Sequence, residues 1–221
     1  MADQAKGIPV AKEGIPFIVG GGILTFGCWM AGLVWLTCLM GALTLFIAWF
    51  FRNPARTIPQ GRNLIVSPGD GTVVAVEQEF EHRFLKEPSI RISIFLNVFN
   101  VHINRMPAAG VLQDVVYAPG KFLVASRHEA SVENEQNALM LRRSDGKKIL
   151  CVQIAGLIAR RIVCWVTPGE QVEKGERFGL IRFGSRMDVY LPHESTMQVK
   201  VGEKVKGGSS ILAELPCVEP S

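Results

Sequence analysis

The sequence has no Cys-x-x-C pair, no Gly-x-Ser-x-Gly elbow, no phosphate-binding loop and no His-Glu-x-x-His helix. Those absences exclude the common zinc sites, the serine-hydrolase turn, nucleotide hydrolysis and zinc peptidase chemistry. Its five cysteines are odd in number and unpatterned: Cys28 and Cys38 in an apolar run, Cys151 and Cys164 in strand-like segments, Cys217 near the C-terminus. They read as buried or lipid-facing thiols in a reducing compartment, and no metal is expected. Lysine and arginine are scattered rather than blocked, and the formal charge is only +4. A nucleic-acid partner is therefore not expected; mild attraction to anionic lipid headgroups fits the charge better.

The longest absence is of charge. From Ile15 to Phe51 no residue is ionisable to a charged Asp, Glu, Lys or Arg. No Ala-x-Ala site follows the run, so it reads as a retained membrane segment rather than a leader. It is long for one helix and slightly short for two full spans plus a turn. Divided near Ala31-Gly32, each arm is about 15–18 residues, or about 23–27 Å. A hairpin of short helices, spanning or re-entrant, fits best. Lys6 and Lys12 precede the run and Arg52, Arg56 and Arg62 follow it, which places both ends on the cytoplasmic side of the cell membrane. Gly20-Gly21-Gly22 within it is a packing or flexibility feature, not a phosphate cradle. The expected organisation is a tail over 1–14, the anchor over 15–51, a Pro-punctuated linker over 52–63 and a β domain over 64–221.

That β domain rests on short alternating or apolar runs separated by Gly and Pro. Strands are expected at Thr72–Glu77, Ile90–Leu96, Val111–Tyr117, Ala138–Arg143, Lys148–Ile154, Arg161–Val166, Arg177–Arg182, Met187–Leu191, Met197–Val201 and Ser210–Glu214. The polar stretch His128–Asn137 reads as a loop. Two segments, Pro168–Glu176 and Val201–Ser209, share a Gly-x-x-Val-x-x-Gly core. Such paired turns occur in barrel-sandwich-hybrid domains such as biotinyl and lipoyl carriers. A carrier needs a lysine at its hairpin tip, and the comparable position reads Ser185-Arg186-Met187-Asp188. The architecture is thus expected to be barrel-sandwich-hybrid-like without the carrier function. A membrane-tethered binding module without chemistry is the other reading of this architecture.

Three places could carry chemistry. Gly184-Ser185, between two strand-like runs, is either a turn or a site where the serine hydroxyl attacks the preceding carbonyl. Asp70, in Ser67-Pro68-Gly69-Asp70-Gly71, is either a turn aspartate or a carboxylate that orients a histidine. His102 sits in Asn97-Val98-Phe99-Asn100-Val101-His102-Ile103-Asn104-Arg105-Met106-Pro107, where hydrogen-bonding groups crowd one short segment. It is either structural or an acid–base group. His82, His128 and His193 read as surface residues.

Taken in order, these segments resemble the phosphatidylserine decarboxylases, in their short membrane-anchored form. The matching elements are the anchor, Ser67–Gly71, Phe95-Leu96 leading to Val101-His102 and Met106-Pro107, Asn134-Glu135-Gln136-Asn137, Gln153–Gly156 with Ala159–Ile162, and Phe183-Gly184-Ser185-Arg186-Met187-Asp188. The resemblance implies a proenzyme that cuts itself between Gly184 and Ser185. Residues 1–184 then form a large chain and residues 185–221 a small one headed by a pyruvoyl group derived from Ser185. It implies Schiff-base decarboxylation of phosphatidylserine to phosphatidylethanolamine, with no metal, and is compatible with a homodimer. Asp70 and His102 match active-site residues of the family. Longer bacterial members carry histidines at the positions of both His102 and Arg105, so the arginine here leaves open which group takes the proton from Ser185. Our expectation is that Asp70 and His102 share this work, with His102 also protonating the decarboxylated intermediate, and that Arg105 or Arg186 holds a substrate carboxylate or phosphate.

Overall fold

A computed structural model describes residues 9–121, 134–156, 162–181 and 184–216. The chain divides into two compact units, the first ending at Ala55 and the second beginning at Arg56. In the first unit a 3-10 turn at Lys12–Gly14 leads into helix α1 (Ile15–Met30), and α2 spans Val34–Phe50. The helices are about 24 and 26 Å long. They reverse at Ala31–Leu33, where Gly32 takes φ +72°. Small residues let the helices approach: a Cβ on Gly21 would strike Thr44, and Gly41 faces Thr25. The hydroxyls of Thr25 and Thr44 return to the carbonyls of Gly21 and Met40, so neither needs water. The two ends are tied together, with Ala11 N–H donating to the Phe51 carbonyl and Asn53 N–H to that of Pro9. Lys12–Met30 is long and apolar enough to cross a membrane, and it is almost wholly unburied, unlike a core helix.

The second unit is mainly β, as expected. Its large antiparallel sheet runs β13 (Lys204–Val205), β2 (Gly71–Glu81), β3 (Glu87–Leu96), β11 (Ser185–Pro192), β7 (Lys148–Ala155), β6 (Gln136–Arg142), β5 (Gly110–Ala118) and β9 (Gln171–Val172). Two three-stranded sheets pack on one face of it. One is β1 (Leu64–Val66), β14 (Ile211–Glu214) and β12 (Thr196–Met197); the other is β4 (Ile103–Arg105), β10 (Arg177–Ile181) and β8 (Ile162–Cys164). The core between them is built by strand alternation. Ile92, Ile94 and Leu96 of β3, Ile149 and Cys151 of β7, and Met187, Val189 and Leu191 of β11 meet Ile65, Phe178, Ile181 and Leu212 from the smaller sheets. The opposite face carries a second apolar group, Leu150, Val152 and Ile154 under Leu85. The turn over that face is held by Glu81, whose carboxylate accepts backbone N–H groups of Arg83, Phe84 and Leu85.

The repeated turns occupy equivalent places at the two edges of the large sheet. Gly169 and Gly202 take φ +85° and +91°, and Gly175 and Gly208 take +78° and +77°. Val172 and Val205 are buried, in β9 and β13. Strand expectations differ from the structure at several places. The region expected as a strand at Met197–Val201 pairs only over Thr196–Met197. Gln136 and Asn137, expected in a loop, already belong to β6. Strands β1, β4, β9 and β13 lie outside the expected strands; β9 and β13 are two residues long, and β4, Ile103-Asn104-Arg105, is two-thirds polar with pairing partners distant in sequence.

Candidate active site

Five of the quoted segments reach one end of the large sheet. Register places Gly71 at the start of β2 there, Leu96 at the end of β3, Ser185 at the start of β11, Ala155 at the end of β7 and Gln136 at the start of β6. Each motif is a strand end or the turn beside it.

The turn Ser67–Gly71 is shaped by its own side chains and by two glycines. Ser67 Oγ donates to the Gly69 carbonyl at 2.6 Å. A Cβ at Gly71 would collide with the Phe95 carbonyl, so only glycine lets β2 begin against β3. Asp70 is thereby presented at the edge of the turn, where both its oxygens are engaged. Oδ2 accepts from Arg56 Nη2 at 2.7 Å and Oδ1 from Gly207 N–H at 2.8 Å.

His102 directly precedes β4 and is buried, both ring nitrogens included. Its carbonyl accepts from Ile181 N–H, the last residue of β10 and three positions before Gly184. Three residues span at most about 11 Å, so His102 lies beside the chain that enters the Gly184-Ser185 segment. The polar crowding around His102 has separable causes. Asn97 and Asn100 shape the turn after β3: Asn100 Oδ1 accepts Asn97 N–H and Asn97 Oδ1 accepts Phe99 N–H. Asn104 instead faces the core, where its Oδ1 accepts from Gln153 Nε2 at 2.8 Å. Gln153 Oε1 accepts in turn from Asn137 Nδ2 at 2.9 Å. This buried amide chain bridges β4, β7 and β6. Gly179 makes room for it, since a Cβ there would meet the Val163 carbonyl and Gln153 Nε2.

Ser185 pairs with Leu96 on one side and Ala155 on the other and is fully buried. Alternation puts it on the core face with Met187, Val189 and Leu191. Its hydroxyl has no partner among the described residues. A fully buried hydroxyl without a hydrogen bond is costly and uncommon in a structural serine. Gly184 precedes it at φ +60°, with nothing near enough to obstruct a Cβ. Backbone conformation, not space, therefore calls for glycine. Asn134 closes the neighbouring edge by donating to the Ala155 carbonyl at 2.7 Å.

Two arginines expected to contact substrate are separated. Arg186 faces the other side of β11 and pairs with Asp188 at 2.8 Å, both buried, with Arg91 also near Asp188. Arg105 extends towards the Asp70 turn: its N–H donates to the Pro68 carbonyl and its Nη1 to the Gly175 carbonyl. Burial, then the charges of Arg177 and Arg56, lower its pKa to about 10, against a smaller opposing effect of Asp70. Arg56 and Arg177 were not expected from the sequence. Arg56 sat in a presumed linker, and nothing in sequence spacing places Arg177 beside Arg105. His82 and His193 are exposed, while His128, Ala159–Arg161 and Phe183 lie outside the described residues. Among the described residues no group of His, Cys, Asp or Glu is arranged to hold a metal ion.

A family model described as phosphatidylserine decarboxylase matches residues 43–213. The chain belongs to the phosphatidylserine decarboxylase family. Proteins named phosphatidylserine decarboxylase proenzyme resemble it over nearly their full lengths. That of Syntrophus aciditrophicus is 52% identical over 204 residues, covering 92% of this chain and 96% of its own. Those of Ralstonia pickettii and Geobacter metallireducens are 48% and 46% identical, covering 93% and 94% of this chain and 95% and 97% of theirs.

Proposed function

We propose that this chain is a phosphatidylserine decarboxylase made as a proenzyme, which cuts itself between Gly184 and Ser185. The observation that carries the reading is one buried serine, its hydroxyl without a partner among the described residues, behind a left-handed glycine at the sheet end where Leu96 and Ala155 flank it. A buried hydroxyl with no partner among the described residues, next to a glycine carbonyl, fits a residue that reacts rather than one that braces the fold.

In the cleavage, Ser185 Oγ loses its proton and bonds to the Gly184 carbonyl carbon as the C–N bond breaks, so the peptide becomes an ester. Removal of the Ser185 α-proton then expels Gly184 as a carboxylate. Water replaces the nitrogen, which leaves as ammonia, and residue 185 becomes a pyruvoyl group. The large chain is then 1–184 and the small chain 185–221. That ketone supplies an electrophile for the substrate amine and a sink for the electron pair released with carbon dioxide. His102 and Asp70 share the proton transfers. The His102 carbonyl accepts from the N–H of Ile181, three positions before Gly184, and Asp70 is oriented by Arg56 and the Gly207 N–H. His102 also returns a proton to the carbon that loses carbon dioxide. Arg186 serves Asp188 on the far side of the strand, so we assign the substrate anion to Arg105. The helical hairpin holds the domain at the cytoplasmic surface, where a lipid headgroup need not be extracted into water.

Intact-mass measurement and a denaturing gel test this directly. Two pieces are expected, the smaller starting at position 185 and resisting Edman degradation, with release of carbon dioxide from phosphatidylserine. A single uncut chain of 24.3 kDa, inactive on that lipid, sinks the reading; a cut chain inactive on it points to another amine. His102→Ala is expected to slow turnover by about 10²-fold or more. Full cleavage with full turnover in that variant removes His102 from the mechanism.

A further inference from the structure

Arg105 and Arg177 are direct cross-strand partners in the β4–β10 pair. Directly opposed residues have their Cβ atoms about 4.5–5.5 Å apart, and like charges so placed repel. A third guanidinium, Arg56, is bound to Asp70, which stands on the turn whose Pro68 carbonyl receives the Arg105 N–H. Three cations thus share one neighbourhood with the Asp70 carboxylate, whose two oxygens are taken by Arg56 and by the Gly207 N–H. The surroundings are built to keep them there. Arg105 is held between equivalent glycines of the two repeated turns: its Nη1 donates to the Gly175 carbonyl, and its Cδ lies where a Cβ of Gly208 would be. Ile58 packs against both glycines. Arg56, Asp70 and Arg177 are only partly buried, so the cluster is reachable from solvent.

We propose that Arg56, Arg105 and Arg177 form a phosphate site that takes the phosphodiester of the substrate headgroup. The clustering costs the empty protein repulsion that a bound dianion or monoanion relieves, and planar guanidiniums match phosphate oxygens in pairs. The lowered pKa of Arg105, caused by burial and by its two arginine neighbours, agrees with an excess of positive charge at this place. The site stands on the two segments that deliver Asp70 and His102, which suits a headgroup whose amine and phosphorus are roughly 5 Å apart by covalent geometry. The assignment of the phosphodiester rests on the proposed lipid decarboxylation; the phosphate site itself does not.

The test therefore has a binding arm and a turnover arm. In the Ser185→Ala chain, which stays whole, glycerophosphoserine, serine and inorganic phosphate are titrated by calorimetry with and without Arg177→Gln. We expect Arg177→Gln to weaken glycerophosphoserine about tenfold or more and serine not at all, with Arg177→Lys intermediate. In chains with Ser185 intact, Arg177→Gln is expected to raise KM for phosphatidylserine by a similar factor with little change in kcat. Equal binding of glycerophosphoserine with and without Arg177→Gln overturns the site. Inorganic phosphate bound more tightly than glycerophosphoserine, without inhibiting turnover, overturns the headgroup assignment and leaves a free-phosphate site. Lost binding in a chain that never decarboxylates supports the site and counts against the proposed function alone. Thermal melts guard against misfolding: added phosphate should raise the midpoint of Ser185→Ala and not that of the double variant.

Discussion

At the scale of single residues, the decisive pair is Gly184-Ser185. Gly184 is in the left-handed region with free space around it. An alanine there meets no clash but carries a conformational cost of about 1–2 kcal/mol. Gly184→Ala should therefore fold, unfold at correspondingly lower urea on the Ser185→Ala background, and cut more slowly when Ser185 is intact. Unchanged stability would show that the backbone at 184 has no need of glycine. A second residue sets behaviour in alkali. Burial raises the Cys151 thiol pKa well above its ordinary 9. The unfolded chain then releases this proton from about pH 9 while the folded chain keeps it, so stability present below pH 9 is lost as pH rises further. Urea melts from pH 8 to 10.5 should show that decline. Cys151→Ala should flatten its slope while lowering stability throughout, because of the cavity it leaves.

At the scale of elements, the chain Asn137–Gln153–Asn104 ties the small sheet that follows His102 to the large sheet containing Ser185. Gln153 alternates with Ile149, Cys151 and Ala155 on the core face of β7, so a polar residue at an apolar register was a readable signal. Its partners were not readable, since Asn104 is 49 positions away. Gln153→Leu leaves buried amide atoms of both asparagines unpaired, at about 1–3 kcal/mol each. We expect a stability loss of about 2–5 kcal/mol and a larger loss of cleavage than that of Glu81→Ala. The latter removes a comparable set of hydrogen bonds from the turn on the opposite face. Similar cleavage in the two variants would mean that the amide chain only stabilises.

At the scale of the molecule, the main core of the β unit is drawn from residues between Ile65 and Leu215. Removing residues 1–51 should yield a chain that cuts itself in the absence of detergent. It should act on phosphatidylserine in mixed micelles but at least about tenfold more slowly on vesicles, where surface attachment supplies local concentration. A truncated chain equally active on vesicles would deny the hairpin its anchoring role.

The sequence by itself determined the apolar hairpin, because membrane length and charge exclusion are properties of one continuous run. It also determined the β class and the repeated Gly-x-x-Val-x-x-Gly turns, because alternation and left-handed glycines are local. Tertiary structure alone decided the neighbours. Arg105 meets Arg177 and Arg56, and Arg186 turns to Asp188 behind the strand. Strand register, with its period of two, sends each residue of Ser185-Arg186 to a different face, and pairing between distant strands chooses what each face meets. Those choices depend on closing loops of many tens of residues, and no local pattern records them.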